Sequence, residues 1–368
     1  MTDIRRACLR PFWRNNDRIP TPHKAPDIFL SQAKILMNVL RRALAAIALL
    51  AALLPASAHA VSIMDPFNVS AAMDSGTSRV GDAIAYGDGN RSRLDVYAPE
   101  QRGAAAPVVF FIYGGGWSRG ERREYEFVGR ALASRGFVTV IADYRLWPEV
   151  SYPSFLEDGA RALRWVQDNI AQYGGDPNRL FLAGHSAGAY NAVMQALDPS
   201  FRNEFGVTMP ILGVAALSGP FDFYPFEYNE VRDVFGQAPN PEGTQPINLI
   251  TSASPPMYLA TGTTDPIVRM QNTERFADRL RAQGVWVTSQ YYDGFGHMEP
   301  VIAMGALWRW RMPVLDDMVG FFQRFGAFPS GVPYLAVAPE APEMLPESVM
   351  PTDQIVQQLN DLYQPIED

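Results

Sequence analysis

The fold is decided by residues 179–190, which read Arg-Leu-Phe-Leu-Ala-Gly-His-Ser-Ala-Gly-Ala-Tyr. The apolar run 180–183 is typical of a strand, and 189–197 is compatible with a helix. Between them, residues 184–188 form a G-x-S-x-G pattern. A sharp strand-to-helix turn leaves no room for side chains two residues either side of the serine, so glycine stands there. The pattern predicts that Ser186 is presented on a tight turn with its oxygen in the open.

The N-terminal region has the three parts of a secretory signal peptide. A short basic region at 37–42 precedes an apolar run at 43–54, which is too short to span a bilayer. Residues 58–60, Ala-His-Ala, then match the A-x-A cleavage pattern. We therefore predict a signal peptide over Met37–Ala60, cleavage before Val61 and a periplasmic or secreted protein. An uncleaved membrane anchor is the alternative.

Removal of this region changes the composition of the chain. Of the 31 Lys+Arg and 39 Asp+Glu residues, nine and three lie in 1–60, which leaves 22 arginines, 36 acids and a net charge of −14. This charge opposes nucleic acid or an anionic membrane as a partner. The single cysteine, Cys8, and both lysines are also lost, which excludes thiolate and Schiff-base chemistry. We expect a small-molecule substrate, no cofactor and no metal; the sequence indicates no oligomeric state.

Strands alternate with helices through most of the chain, as in a mostly parallel sheet with helices on both faces. The continuous apolar run 107–112 is typical of a strand buried on both faces. Further strands are predicted at 137–142, 180–183, 211–217, 256–261 and 285–292. The alternating runs 83–86 and 93–97 predict a hairpin at the sheet edge.

Three regions follow from these patterns. We predict an upstream segment plus signal peptide over 1–60, one α/β catalytic domain over 61–326 and a Pro-rich acidic C-terminal extension over 327–368. No large cap domain is inserted. We expect 61–80 to be an irregular arm over the surface.

Ser186 needs a base, and elimination names it. The chain has four histidines, and His23 and His59 lie in the N-terminal region. His185 adjoins the serine, where the turn is expected to send its side chain elsewhere. His297 remains, in a glycine-containing loop after a late strand, where it can accept the proton of Ser186 and return it to the leaving group.

The acid and the oxyanion donors also follow strands. Asp265 comes after the run 256–261 and before the histidine, in the chain order Ser, Asp, His; Asp293 is the alternative. Asp143 and Asp158 are expected to hold loops through backbone or arginine contacts. The backbone N–H groups that we expect to form the oxyanion hole are those of Gly114, Gly115 and Ala187.

The chain resembles a known family through six motifs: Tyr113-Gly-Gly-Gly-Trp117, Asp143-Tyr-Arg-Leu146, Tyr173-Gly-Gly-Asp-Pro177, Gly184-His-Ser-Ala-Gly188, Gly262-Thr-Thr-Asp265 and Gly296-His297. Together they resemble the α/β-hydrolase carboxylesterases, above all the branch that holds kynurenine formamidases and isoprenylcysteine methylesterases. The resemblance implies the α/β-hydrolase fold and hydrolysis of esters or, less often, amides. Tyr113 stands where that family usually has a histidine, which orders the loop, so we expect the oxyanion hole to survive.

Aromatic residues near the predicted site bear on the substrate. Trp117, Phe221 and Phe223 are candidates for lining an apolar pocket, and the alternative is that such aromatics only pack the segment 219–254 down. The leading hypothesis is an exported serine carboxylesterase for small esters that works through an acyl-enzyme. An arylformamidase or amidase with the same triad, and a catalytically silent scaffold of the same fold, are the alternatives.

Overall fold

The computed structural model describes residues 64–326, except residues 102 and 104. The predicted signal peptide, the segment before it and the C-terminal extension over 327–368 lie outside the described residues. Among the described helices, none has the length and apolar character that a membrane span requires.

One sheet organises the described residues. Its strands are β1 (Thr77–Ala85), β2 (Arg93–Pro99), β3 (Ala106–Ile112), β4 (Val138–Ala142), β5 (Gly175–His185), β6 (Ile211–Leu217), β7 (Met257–Gly262) and β8 (Val287–Tyr292). They lie in the order β1-β2-β4-β3-β5-β6-β7-β8. The β1–β2 and β2–β4 pairs are antiparallel, and the other five pairs are parallel. The predicted α/β architecture is therefore confirmed, with the hairpin at one edge.

Helices cover the sheet. They are α1 (Asp65–Asn68), α2 (Glu126–Ala133), α3 (Ser154–Asn169), α4 (Ala187–Leu197), α5 (Pro199–Glu204), α6 (Asn229–Phe235), α7 (Gln271–Ala282), α8 (Glu299–Ile302) and α9 (Val314–Arg324). Every residue of β4 and β7 is buried, including Thr139 and Thr261, as expected of inner strands that are covered on both faces. The edge strand β8 is only half-buried along its length. β3, β5 and β7 are inner strands of the sheet, and sites in such sheets lie just beyond the carboxyl ends of the strands.

The segment before β1 differs from its prediction as an irregular arm. In its described part, α1 is followed by a 3-10 helix over Val69–Met73, and β1 begins at Thr77. The ring of Phe67 packs on Phe127 and Trp308, with ring centroids 6.3 and 4.9 Å apart. These contacts join residues far apart in the chain, so a local sequence pattern does not report them. The segment is part of the core.

Both glycines of the G-x-S-x-G pattern are required by close backbone packing. A Cβ added at Gly184 would lie 2.3 Å from the carbonyl oxygen of Gly188. A Cβ added at Gly188 would lie 2.0 Å from the carbonyl oxygen of Ile112, at the end of β3. Helix α4 therefore begins in direct backbone contact with two strands, which fixes the position of Ser186.

We expect Gly188→Ala to destabilise the protein by about 3 kcal/mol, because backbone atoms of two packed elements cannot move apart cheaply. Gly320→Ala is the matched control: Gly320 is exposed in α9, and nothing lies within 4 Å of an added Cβ. That substitution should be neutral or should stabilise the protein by up to about 1 kcal/mol through helix propensity. Urea unfolding monitored by circular dichroism measures both. Equal stability of the two variants would contradict the packing argument.

Candidate active site

Ser186 lies at the junction of β5 and α4 in an unusual backbone conformation. Its φ and ψ angles are 55° and −125°, a region that costs a residue with a Cβ about 1–3 kcal/mol. The surrounding backbone holds this turn: the Ser186 N–H donates to the carbonyl of Leu217 at 2.9 Å, and the Tyr190 N–H donates to the carbonyl of Ser186 at 3.1 Å. The strained turn is therefore enforced by β6 and by the first turn of α4.

His297 contacts both predicted partners. Its Nε2 lies 2.8 Å from Oγ of Ser186, and its Nδ1 lies 2.8 Å from Oδ2 of Asp265. The three side chains are buried. An ionised carboxylate can only accept, so the proton of the imidazole belongs on Nδ1, and Nε2 is left to accept from the serine hydroxyl. This is the tautomer that a general base for Ser186 needs.

The carboxylate of Asp265 is held by its own loop. Its second oxygen, Oδ1, accepts from the N–H groups of Ile267 and Val268, both at 2.9 Å. The alternative acid, Asp293, lies at the end of β8 and accepts from Oγ1 of Thr263 at 3.1 Å on the exposed surface. The structure therefore brings Asp265, and not Asp293, to the histidine.

The loop after β3, residues 113–116, contains three glycines and lies against Ser186; it is called the glycine loop below. A Cβ added at Gly114 would be 2.9 Å from Cβ of Ser186, and Gly115 has a φ of +129°, which favours glycine. Ala187 is the first residue of α4, where helical N–H groups have no partner in the helix. Among the described residues, none accepts a hydrogen bond from the N–H of Gly114, Gly115 or Ala187. The three predicted donors are therefore not used by acceptors in the described part of the chain.

Tyr113, which replaces the histidine expected from the resemblance, is built into a buried ionic network. Its hydroxyl donates to Oδ1 of Asp143 at 3.0 Å and accepts from Arg91 at 2.8 Å. Arg122 joins Asp143 to Asp95. Burial opposes the charge of Arg122, but Asp143 and Asp95 outweigh it and raise its pKa. Burial likewise raises the pKa of Tyr113, which keeps its proton for the carboxylate. The network holds the start of the glycine loop.

The aromatic candidates for the substrate pocket separate into two groups. Phe221 is completely buried and stacks on Phe276 of α7, with centroids 4.3 Å apart. Trp117 is 5% exposed, and its Nε1–H donates to Oδ1 of Asn191 at 3.0 Å. Both side chains pack the loops down, as the alternative described. Phe223 is only half-buried, and its ring lies 6.3 Å from that of Trp117.

His185 is the residue at this site that sequence reasoning missed. Its ring lies 5.0 Å from the ring of His297. Its Nε2 is 3.0 Å from the backbone oxygen of His297. The local pattern carries no signal for this contact, because the two residues are 112 positions apart in the sequence. The described residues contain no cluster of three or more His, Cys, Asp or Glu side chains that could hold a metal ion.

Comparisons with known sequences show which family the chain belongs to. The BD-FAE family model matches residues 94–280, about half of the chain. A probable isoprenylcysteine alpha-carbonyl methylesterase (ICMEL1) of Oryza sativa subsp. japonica is 30% identical over 247 residues, which cover 61% of this chain and 58% of the relative. Esterase LipQ of Mycobacterium tuberculosis is 30% identical over 272 residues, 66% and 63% of the two chains. The chain spans about six tenths of the length of the curated relatives that it matches.

Solved structures show the same fold. Esterase B from Lactobacillus rhamnosis has a TM-score of 0.61 at 20% identity, covering 72% of this chain and 93% of that one. Esterase 2 from Thermogutta terrifontis in its apo form has a TM-score of 0.59 at 21% identity, covering 68% and 97%. Motifs, topology and family model agree, and the chain therefore belongs to the BD-FAE family of α/β-hydrolases.

Proposed function

We propose that this protein is a serine esterase that hydrolyses small carboxylic esters through Ser186, His297 and Asp265. The observation that carries the proposal is the continuous hydrogen-bonded chain from the serine to the aspartate, with both bonds at 2.8 Å. The available N–H groups beside the serine support it, because acyl transfer needs donors placed in advance for an oxyanion. The names of the relatives, which are esterases, point the same way.

In the proposed reaction, Oγ of Ser186 attacks the carbonyl carbon of the ester while its proton moves to Nε2 of His297. The carbonyl π electrons move to the oxygen, which the N–H groups of Gly114, Gly115 and Ala187 stabilise. When the tetrahedral intermediate collapses, the alcohol leaves with the proton from Nε2, and an acyl-enzyme remains. Water then attacks the acyl carbon by the same route, which releases the acid and restores the serine.

The substrate class follows from the surroundings of the glycine loop. Phe223 packs on Trp117 directly after the loop and on Phe226, with ring centroids 6.3 and 5.9 Å apart. Tyr224 next to it is 44% exposed. Phe223 also packs on Tyr190 of α4, the helix that begins after Ser186, with ring centroids 5.7 Å apart. A partly exposed aromatic surface near this helix favours uncharged esters with an apolar acyl or alcohol group. The relatives are named for a methylesterase activity on isoprenylcysteine and for carboxylic ester hydrolysis.

Export remains part of the proposal. The signal peptide predicted over 37–60 would release a mature chain that begins at Val61. Mass spectrometry of the protein recovered from the periplasm or the medium tests this directly. Detection of an intact segment 1–36 in the recovered protein would contradict cleavage at this site.

A substrate panel with a covalent probe tests the function. The purified full chain should hydrolyse p-nitrophenyl acetate and butyrate, and a fluorophosphonate should label Ser186, as mapped by peptide mass spectrometry. Turnover of N-formyl arylamines without turnover of esters would instead indicate a formamidase with the same triad. Folded protein that neither turns over an ester nor accepts the probe would favour the catalytically silent scaffold.

A further inference from the structure

His185 links the nucleophile turn to the loop that carries the base. It is the last residue of β5, directly before Ser186, and it is 1% exposed. Its Nε2 lies 3.0 Å from the backbone oxygen of His297. Because a carbonyl oxygen can only accept, Nε2 carries the proton and donates it to this bond. One histidine therefore binds the main chain of the other.

The carbonyl of His297 receives no hydrogen bond from the two residues that would supply one in a helix. Pro300, three residues on, has no N–H. The N–H of Val301, four residues on, donates to the carbonyl of Met298 at 3.2 Å instead. A buried carbonyl left without a donor costs about 1–3 kcal/mol. The sequence after His297 supplies no helical donor to its carbonyl, and the imidazole of His185 donates to this oxygen.

The other side of the same loop is fixed by β7. The N–H of Thr264 donates to the carbonyl of Phe295 at 3.0 Å. A Cβ added at Gly262 would lie 2.0 Å from that same oxygen, so the loop rests directly on the end of β7. The backbone is held by β7 two residues before His297 and by β5 at His297 itself. The contact from His185 is made to the residue that carries the base.

His185 also stays neutral beside a group that must gain a charge. Burial and the neighbouring His297 lower the pKa of His185 to about 3. In the proposed reaction His297 becomes an imidazolium, and a charged neighbour with its ring 5.0 Å away would oppose that step. A neutral side chain with a hydrogen-bond donor at the position of Nε2 can therefore hold the carbonyl of His297 without opposing the positive charge on its ring.

We propose that His185 is a positioning residue, which holds the main chain of His297 so that Nε2 of the base faces Oγ of Ser186. The inference rests on the proposed esterase function. This role requires no contact between His185 and the substrate. A misplacement of about 1 Å in a catalytic group can lower a rate by about 100-fold. The hydrogen bond between the two histidines opposes such a displacement.

A pair of variants isolates the hydrogen bond from the packing. His185→Gln keeps an N–H donor at the reach of Nε2, and His185→Met has a similar length without a donor. We expect His185→Met to lower kcat for p-nitrophenyl butyrate by about 10–100-fold with KM within about twofold of wild type. His185→Gln should keep kcat within about threefold. If the Met variant fails to fold, His185→Asn replaces it, since that amide is too short to reach the carbonyl.

A second readout needs no substrate. ¹⁵N-histidine NMR of the full chain should show the ring signals of His297 shifted in His185→Met and close to wild type in His185→Gln. Wild-type kcat together with unshifted His297 signals in His185→Met would overturn the proposal. So would an equal fall in kcat and Tm for both variants, which indicates packing alone. If wild-type protein turns over no ester while the NMR difference persists, the positioning role stands and the esterase function fails.

Discussion

Replacing Ser186 with alanine is expected to lower kcat for ester hydrolysis by about 10⁶-fold, because no other group replaces the attacking oxygen. The hydroxyl of Ser186 donates to Nε2 of His297 at 2.8 Å, and removal of Oγ leaves the base without this proton donor. Any remaining hydrolysis faster than the uncatalysed reaction in water should come from the N–H groups of the glycine loop. The measurement is the steady-state hydrolysis of p-nitrophenyl butyrate, with loss of fluorophosphonate labelling in parallel. Ser252→Ala, at an exposed position, is the control and should match wild type.

The same position permits a test of backbone strain. Ser186→Gly should lose as much activity as Ser186→Ala. Its free energy of unfolding should exceed that of the alanine variant by about 1 kcal/mol. Glycine adopts φ 55° and ψ −125° without the steric cost of a Cβ, and this gain exceeds its larger entropy in the unfolded chain. Urea unfolding compares the glycine and alanine variants. A glycine variant less stable than the alanine variant would show that the turn stores no strain.

Asp265→Asn is expected to lower kcat by about 10⁴-fold with the fold intact. The amide oxygen would accept the N–H groups of Ile267 and Val268 in place of Oδ1, which leaves the amide NH₂ facing His297. A donor at that position forces the proton of the imidazole onto Nε2. The base could then no longer accept the proton of the serine.

Asp293→Asn is the matched control for this prediction. Its carboxylate accepts from the hydroxyl of Thr263 on the surface, and an amide oxygen can do the same. We expect its kcat to stay within about twofold of wild type, with both variants assayed on the same ester. A large loss in Asp293→Asn and none in Asp265→Asn would reverse the assignment of the acid.

Much of the fold follows from local sequence patterns. The continuous apolar runs predict strands buried on both faces, because side chains of such strands meet helices on either side. The G-x-S-x-G pattern predicts the turn at Ser186, since glycine is the residue that fits where α4 touches β3 and β5. His297 follows by elimination, because His185 adjoins the turn and the other two histidines lie in the predicted N-terminal leader.

The tertiary structure decided what depends on contacts between distant parts of the chain. It brings Asp265 rather than Asp293 to His297, it seats Phe221 on Phe276 in the core, and it anchors the segment before β1. It also sets Tyr113 into a network of charges, which the sequence of the glycine loop does not indicate.

For His185, the local sequence and the tertiary structure each determined a different feature. The sequence by itself placed this histidine directly before the turn at Ser186, because that position is a local property of the G-x-S-x-G pattern. Its contact with the carbonyl of His297 was decided only by the tertiary structure, because that contact requires the loop after β8 to return to the end of β5. Local patterns determine which residues a turn can hold, whereas the packing of loops determines which groups these residues meet.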